Sequence, residues 1–253
     1  MKPIILVCSV QLEADALLGL LADLAPLERP GVRGWRARMA DRPVLVLIAG
    51  MGKTNAARAL TATLEHESVA GIVGFGVAGA YPRSRLEIGS VALADIAHYG
   101  DEGVETPDGW ISCEGIGIPL FESADQRHFN DFPCDEACVE AVKAAFSALG
   151  RPISVGGFVT VSTCSGTAER GRRLARRYDA LCETMEGAAY AHTARHYGVP
   201  YLELRGISNL VMDRDLRQWR LEAAAIAVAE ALPIVVGAWP YPRVPNDGRE
   251  AAG

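Results

Sequence analysis

The order of apolar and polar positions predicts strands and helices that alternate along most of the chain. Continuous apolar runs predict buried strands at 2–10, 43–49, 69–75, 88–97, 153–162 and 201–207, and 35–39 predicts one more. Helical spacing predicts helices at 11–24, 50–64, 135–149 and 183–197, with a short basic helix at 170–177. Strands therefore alternate with helices, as they do in sheets whose strands run in parallel.

This alternation predicts the α/β fold class, with a single three-layer domain over 1–239. We expect a central mixed, mostly parallel sheet that helices cover on both faces. Residues 240–253 follow the last apolar run, and we expect them to form a loose tail. The long polar passage 98–133 shows no regular pattern, and a loop of this length inside a compact domain is usually functional.

Composition narrows the class of partner. The chain has 253 residues, 49% of them hydrophobic, which is enough for a sizeable core, and its net charge of −6 argues against nucleic acid as the main partner. Its six cysteines are scattered without a disulfide framework, so we expect a reducing, cytoplasmic location. The first apolar run is short and acidic residues follow it, and we expect no run to be long enough to span a membrane. Cys134 and Cys138 lack a second ligand pair at zinc spacing, so we expect neither a metal nor a cofactor.

Two glycine-rich segments resemble phosphate-binding motifs but do not satisfy them. Residues 50–54 lack the first glycine of a P-loop, because Leu47 stands in its place. Residues 74–79 match G-x-G-x-x-G literally, but the chain break at 81–84 prevents a helix from starting there. We therefore predict a flexible glycine loop over 76–79 that presents backbone N–H groups to a sugar or an anion.

Carboxylates and amides follow several predicted strands. Glu13 follows the first strand, Ser208 and Asn209 follow the strand at 201–207, and Glu183 and Glu186 begin the helix between them. Ligands of α/β sheets bind beyond the carboxyl ends of the strands, so these residues are expected to form one site. The alternative is that the glutamates only complement helix dipoles in first turns. The residue pattern by itself leaves both interpretations open.

The chain resembles the purine nucleoside phosphorylase and nucleosidase superfamily over nearly its whole length. Residues 50–57, 76–79 and 185–189 match the recurring blocks of that superfamily in order, and the Met185-Glu186 pair is its most specific signature. Within it, the segments 101–109, 117–120 and 206–211 resemble those of the futalosine hydrolases of menaquinone biosynthesis. The resemblance implies an enzyme that hydrolyses the N-glycosyl bond of futalosine, releasing hypoxanthine.

The resemblance also implies roles for individual residues. Glu13 is expected to orient or deprotonate water, Glu186 to hold the ribose hydroxyls, and Asn209 to contact the purine. It further implies a homodimer or a larger homo-oligomer, with passage 98–133 as a contact with a neighbour or a lid. The residues implied to bind the substrate are Gly76, Val77, Ala78, Gly79, Met185, Arg205 and Ser208.

One position departs from the adenosine-cleaving nucleosidases, which carry an aspartate where this chain has Asn209. An amide cannot deliver a proton to N7, but it can hydrogen-bond a 6-oxopurine through both its donor and its acceptor. The general acid therefore remains unassigned.

Alternatives stay open at this stage. Besides a futalosine-type hydrolase, the chain fits a methylthioadenosine/S-adenosylhomocysteine-type nucleosidase, a 6-oxopurine phosphorylase, or a non-catalytic nucleoside-binding protein. A phosphorylase is disfavoured because Arg205 is the only arginine in the matched blocks, and a phosphate dianion needs more positive charge than that.

Overall fold

The structure is a computed structural model that describes residues 1–240, so the predicted tail lies outside the described residues except for Pro240. The strands are β1 (Ile4–Cys8), β2 (Ala22–Pro26), β3 (Arg33–Met39), β4 (Arg42–Ile48), β5 (Gly71–Ala80), β6 (Val91–Tyr99), β7 (Gly103–Thr106), β8 (Gly109–Ser112), β9 (Phe121–Glu122), β10 (Arg127–His128), β11 (Asp131–Pro133), β12 (Ser154–Thr160), β13 (Cys182–Thr184) and β14 (Tyr201–Leu210). The α-helices are α1 (Gln11–Leu18), α2 (Lys53–Leu64), α3 (Glu136–Ala148), α4 (Ala168–Tyr178), α5 (Gly187–His196) and α6 (Leu221–Ala238).

A ten-stranded mixed sheet organises the fold. Parallel pairings run through β4, β1, β5 and β14, and through β6, β12 and β13. Antiparallel pairings of β13 with β5 and of β14 with β6 join these two sets. The strands β5, β14, β6, β12 and β13 thus form a closed ring, which protects their edges as barrels do. This confirms the predicted α/β class with a central mixed sheet.

Helices form two layers around this sheet. On one side α6 packs against α1, α3 and β14, and on the other α5 packs against α2 and β12. The core between them includes the five residues of β1, all fully buried, which explains the unbroken apolar run at the start of the sequence. The predicted three-layer arrangement is confirmed.

Two helix predictions were wrong in their bounds. The helix predicted over 11–24 ends at Leu18, and residues 22–26 form the edge strand β2, whose five residues are all exposed. The helix predicted from Glu183 begins only at Gly187. Glu183 instead lies in β13, which is hydrogen-bonded between β12 and β5. The dipole interpretation of Glu183 as a first-turn residue is therefore wrong.

The glycine loop predicted over 76–79 is also wrong, because those residues belong to β5. This part of β5 pairs with β14 on one side and, at Gly79 and Ala80, with β13 on the other. A side chain on Gly76 would collide with Glu13 and Arg205, and one on Gly79 would contact Asn209 and Val211. The glycines therefore let side chains of neighbouring elements approach the strand closely.

Helix α6 was not predicted, and it corrects the statement that no run could span a membrane. By length and composition it could do so, with a mean hydropathy of 1.8. A core helix of a globular fold meets the same criteria, and eight residues of α6 are buried against the sheet and its neighbouring helices. We therefore assign α6 to the core. A helix that is apolar on most sides lacks the amphipathic period that marks surface helices.

Candidate active site

A cavity of about 210 Å³ opens at the C-terminal ends of six strands. Residues at or just after the ends of β1, β4, β5, β12, β13 and β14 line it, and Trp219 and Leu221 close one side. This is where α/β sheets bind ligands. Most of the site is therefore built at strand ends.

Glu13 lies at the first turn of α1, and its carboxylate is buried at 2% exposure. Its Oε2 accepts hydrogen bonds from the backbone N–H of Ser9 at 2.9 Å, from the Ser9 hydroxyl at 2.9 Å, and from the N–H of Val10 at 3.2 Å. Its Oε1 accepts from the N–H of Val77 in β5 at 2.9 Å. These four donors hold the carboxylate across the gap between β1 and β5 at the edge of the cavity. A structural role in capping α1 and a role in the cavity are thus combined in one side chain.

Glu186 stands immediately before α5, and it is buried. Its Oε1 accepts from the N–H of Gly52 at 2.8 Å, and its Oε2 lies 4.0 Å from Nη2 of Arg205. Burial raises the pKa of Glu186 above its ordinary value of 4.5, an effect that Arg205 and the Gly52 N–H partly offset. The Gly52 contact also explains the second glycine of segment 50–54, whose backbone reaches this carboxylate rather than a phosphate.

Arg205 lies behind the cavity and does not line it. Its Nε donates to Glu203 Oε1 at 2.8 Å, while the buried Nη2 lacks a hydrogen-bond partner among the described residues. Burial disfavours the charge of Arg205, but Glu203, Glu186 and Glu13 outweigh burial and raise its pKa above the ordinary value. Arg205 is therefore a permanent cation between three carboxylates, and the cluster keeps an excess of negative charge.

Asn209 lies near the end of β14, next to a bulge. The register of β14 against β5 shifts between Ile207 and Asn209, so that Asn209 is opposite Gly79. Bulges next to functional sites re-aim side chains in this way. The Ser208 hydroxyl donates to Asn209 Oδ1 at 2.8 Å, and Asn209 Nδ2 donates to the carbonyl of Leu210 at 3.1 Å. The amide is thus fixed in orientation while it still faces the cavity.

Glu183 also lines the cavity; the sequence analysis grouped it with Glu186 but assigned it no catalytic or binding role. Its Oε1 accepts from the N–H of Ser165 at 2.6 Å, and its Oε2 accepts from the Ser165 hydroxyl at 2.6 Å and from the Tyr81 hydroxyl at 3.3 Å. Burial and the nearby Glu183 raise the pKa of Tyr81 well above its ordinary value, so its hydroxyl keeps its proton. The signal in the sequence that could identify Glu183 as a site residue was its position three residues before Glu186.

The structure brings most of the residues singled out from the sequence into one place. Gly76 and Arg205 lie outside the cavity lining, beside Glu13 and behind it. Besides Glu183, the lining residues that received no role in the sequence analysis include Met51, Cys164, Ser165, Val211, Trp219 and Leu221. The predicted residues that line the cavity are Glu13, Val77, Ala78, Gly79, Met185, Glu186, Ser208 and Asn209.

Comparison with known proteins agrees with this arrangement. A family model described as the phosphorylase superfamily matches residues 3–236. The chain belongs to the phosphorylase superfamily. Relatives of this superfamily member include the futalosine hydrolase of Thermus thermophilus, which is 33% identical over 220 residues, or 84% of this chain and 92% of the relative. The futalosine hydrolase of Acidothermus cellulolyticus is 32% identical over 236 residues, or 93% of this chain and 91% of the relative.

Solved structures share the superfamily fold. The 5′-methylthioadenosine/S-adenosylhomocysteine nucleosidase of Neisseria meningitidis, bound to methylthio-immucillin-A, matches with a TM-score of 0.81 and 18% identity, covering 94% of this chain and all of that one. The futalosine hydrolase of Helicobacter pylori matches with a TM-score of 0.79 and 20% identity, covering 93% of this chain and 97% of that one. At these identities the likeness concerns the fold alone.

Proposed function

We propose that this superfamily member is an N-ribosyl hydrolase that cleaves futalosine to hypoxanthine and dehypoxanthine futalosine, in menaquinone biosynthesis. The observation that carries the proposal is the charge of the cavity. Three carboxylates, those of Glu13, Glu183 and Glu186, line it, and the described residues contribute no lysine or arginine to its lining. Its relatives at about a third identity, among them the Thermus thermophilus futalosine hydrolase, support the choice of substrate.

A negative cavity suits the bond that breaks. Departure of the purine from C1′ leaves positive charge on the ribose, and the transition state resembles an oxocarbenium ion. Glu186 accepts a hydrogen bond from a ribose hydroxyl and stabilises that charge. Glu13 takes a proton from water as its oxygen bonds to C1′. The C1′–N9 bond breaks at the same stage, and its electron pair leaves with the purine.

Asn209 contacts the purine, which is the leaving group of the reaction. Its amide donates a hydrogen bond to N7 or O6 of the purine as negative charge develops there. An amide has no proton to give, so the proton that the leaving hypoxanthine takes up comes from solvent. The O6 oxygen of a 6-oxopurine accepts from this donor, whereas the 6-amino group of adenine is itself a donor.

The same charge pattern disfavours phosphorolysis. A phosphate dianion would enter a cavity of three carboxylates, and the guanidinium of Arg205 donates to Glu203 behind the cavity wall. Charge-assisted hydrogen bonds from several cations are what such an anion requires. A water molecule is neutral, so a hydrolase needs no such cations in its cavity.

The test is a purine-release assay with futalosine, with and without inorganic phosphate. We expect hypoxanthine release whose rate is independent of phosphate. Release that requires phosphate would assign a phosphorylase. Failure to release any purine from futalosine, together with tight binding of it, would assign a nucleoside-binding protein.

We also propose that the chain forms a homodimer or a larger homo-oligomer in the cytoplasm. Four apolar side chains in passage 98–133 are exposed: Val104, Ile111, Ile116 and Ile118. An exposed apolar group of this kind is typical of an association surface. All six cysteines are free, which suits a reducing compartment.

A further inference from the structure

Lys53, the first residue of α2, connects this helix to the end of β6. Its Nζ donates to Oδ1 of Asp101 and, at 2.9 Å, to Oε1 of Glu102. It also lies 5.2 Å from the ring centroid of Tyr99, the last residue of β6. The side chain of Lys53 is only 13% exposed, so these ion pairs are screened by solvent less than surface pairs are.

Both carboxylates that accept from Lys53 are held by other elements. Oδ2 of Asp101 accepts from the backbone N–H of Ser162, two residues beyond the end of β12, at 2.6 Å. The carbonyl of Glu102 accepts from the amide of the buried Asn130 at 2.8 Å. The carboxylates are therefore anchored independently of α2. Lys53, Asp101 and Glu102 thus form a latch that ties the first turn of α2 to the ends of β6 and β12.

The residue before Lys53 is Gly52, whose N–H donates to Oε1 of Glu186 at 2.8 Å. Gly52 has a φ of +92°, and a Cβ at this position would meet no atom of the described residues within 4 Å. No neighbour packs against Gly52 on that side, so the position of its N–H depends on the residues that flank it. Asn55 donates to the carbonyl of Met51 at 2.8 Å, which ties the preceding residue to the same turn of α2. The latch fixes that turn relative to the sheet.

We propose that Lys53 is a positioning residue for the reaction, which holds the Gly52 N–H against the carboxylate of Glu186 through the latch. This inference rests on the proposed function, in which Glu186 binds a ribose hydroxyl. Lys53 lies outside the lining of the cavity, so it acts through Gly52 and not on the substrate. A small misplacement of a carboxylate that acts in the transition state is costly.

The latch has a consequence for the titration of Glu186 in the free protein. Burial raises the pKa of Glu186, whereas Arg205 and the Gly52 N–H lower it. Loss of the Gly52 hydrogen bond removes a contact that favours the ionised form, so the pKa should rise further. The titratable groups that face this carboxylate are Cys8, Glu13, Cys164, Tyr190, Glu203 and Arg205. The variants described below leave all of them in place.

The first measurement is the titration of the Glu186 carboxyl carbon by ¹³C NMR, with the signal identified by its absence in Glu186→Gln. Lys53→Met keeps most of the aliphatic side chain but removes the ammonium group. We expect its Glu186 to titrate at a higher pH than that of the wild type. Lys53→Arg keeps the charge and the donors, and it should titrate close to the wild type.

A second variant separates the position of Gly52 from the charge of Lys53. Removing a positive charge would by itself raise the pKa of Glu186, whereas removing negative charges would lower it. Asp101→Ala/Glu102→Ala removes two negative charges and also opens the latch. We expect the pKa of Glu186 to rise in this variant too, because the two carboxylates are partly exposed and screened, whereas the Gly52 N–H is in direct contact.

The second measurement is the steady-state kinetics of futalosine cleavage. Lys53→Met should lower kcat by about 10-fold or more with a smaller change in KM, because the interaction that it misplaces acts in the transition state. In a Glu186→Gln background the same substitution should cost only about 2-fold or less, since two residues that act on one interaction are not additive. Lys53→Arg should recover most of the wild-type kcat.

The matched control is Lys143→Met, which removes another ion-paired lysine. Lys143 pairs with Glu140 at 2.6 Å on the exposed side of α3. This variant should keep both the Glu186 titration and kcat of the wild type. Asp101→Ala/Glu102→Ala decides the question if Lys53→Met does not fold. An unchanged Glu186 titration in Lys53→Met, or shifts of opposite sign in the two latch variants, would overturn the inference.

Failure of this inference is distinguishable from failure of the proposed function, because the titration needs no turnover. A wild type that releases hypoxanthine from futalosine, with a Glu186 titration insensitive to Lys53, rejects only the role of Lys53. A wild type that releases no hypoxanthine from futalosine rejects the proposed function, and the titration still decides whether the latch positions Gly52 against Glu186.

Discussion

Oε1 of Glu13 lies 2.2 Å from the point that a Cβ on Gly76 would occupy. Gly76 is therefore required by the carboxylate beside it as much as by its own φ of +155°. We expect Gly76→Ala to push the Glu13 carboxylate away from Val77 and to lower kcat by about 10²-fold or more, since a small misplacement of a catalytic group is costly. Crowding should also destabilise the fold by ~1–3 kcal/mol.

Steady-state kinetics and thermal unfolding measure the two effects. Gly19→Ala is the matched control, because a Cβ on Gly19 meets no atom within 4 Å. It should leave kcat unchanged. Equal losses of activity in both variants would show that the contact between Gly76 and Glu13 is irrelevant to turnover.

Glu13→Gln tests the proposed role of this residue in activating water. The amide keeps the shape of the carboxylate but loses its basicity, so turnover should nearly vanish while substrate binding stays measurable. Single-turnover rates measure the chemical step and substrate affinity measures binding, so the two measurements separate these effects. Asp15→Asn, a neutralised carboxylate on the exposed side of the same helix, should retain wild-type kcat. A Glu13→Gln variant with most of its kcat would remove Glu13 from the chemistry.

The sequence predicted the fold well where burial produces a simple pattern. The fully buried β1 appears as an unbroken apolar run, and the ends of β1 and β14 carry Glu13 and Asn209 as expected. The sequence failed where tertiary contacts override local preference. Gly76–Gly79 has the composition of a loop, yet it is a strand, because β14 and β13 supply hydrogen bonds from both sides.

The candidate site likewise contains residues that local sequence predicts and residues that only tertiary contacts bring to the cavity. Glu186 was predicted from a motif, but Glu183 is brought to the cavity by the pairing of β13 with β5, which is a long-range contact. Trp219 and Ser165 lie in irregular segments, and nothing in a single sequence indicates which side of the fold such segments cover. Local sequence pattern therefore predicts the elements and the strand ends, whereas the register between strands decides which residues meet at the cavity.

Glu186→Gln should lower kcat by about 10²-fold or more, because it weakens a charge-assisted bond to a ribose hydroxyl as the sugar becomes cationic. A 2′-deoxyribosyl substrate should suffer a much smaller penalty from the same substitution. Equal penalties on the ribosyl and 2′-deoxyribosyl substrates would exclude contact with the 2′-hydroxyl.

The raised pKa of Glu186 predicts two pH dependences. Activity requires the ionised form, so kcat should fall as the pH drops through a pKa that lies above 4.5. The free energy of unfolding depends on pH in the opposite direction. Because the pKa of Glu186 is raised in the folded state, the folded protein binds this proton more tightly than the unfolded chain does. The contribution of Glu186 to stability is therefore greatest below pH 4.5 and is lost as the pH rises through the folded pKa. Denaturant unfolding of wild type and Glu186→Gln should therefore show a difference in unfolding free energy that changes over this window. A difference independent of pH would contradict the raised pKa.

The exposed apolar side chains of passage 98–133 predict self-association. Sedimentation at micromolar protein concentration should give a homodimer or a multiple of it, and replacing both Ile116 and Ile118 with serine should shift the equilibrium toward monomer because apolar burial is lost. The matched control is Ile226→Ser, at a similarly exposed isoleucine on α6. This variant should not shift the equilibrium toward monomer. A wild-type monomer at this concentration would reject the dimer and leave a lid as the role of the passage.

The choice of base is predicted from the orientation of Asn209. Ser208 and Leu210 fix the orientation of the Asn209 amide at the cavity. Because this amide can both donate to and accept from a 6-oxopurine, hypoxanthine nucleosides should be cleaved far better than their 6-amino counterparts. A wrong base leaves buried polar groups unpaired, which costs several kcal/mol and so about 10²-fold or more in kcat/KM. Asn209→Asp should lower kcat/KM for futalosine and admit the 6-amino analogue, since a carboxylic acid can protonate N7. The measurement is kcat/KM for both substrates on both proteins. A wild type that prefers the 6-amino base, or an Asn209→Asp variant with unchanged selectivity, would show that the purine is recognised by residues other than Asn209.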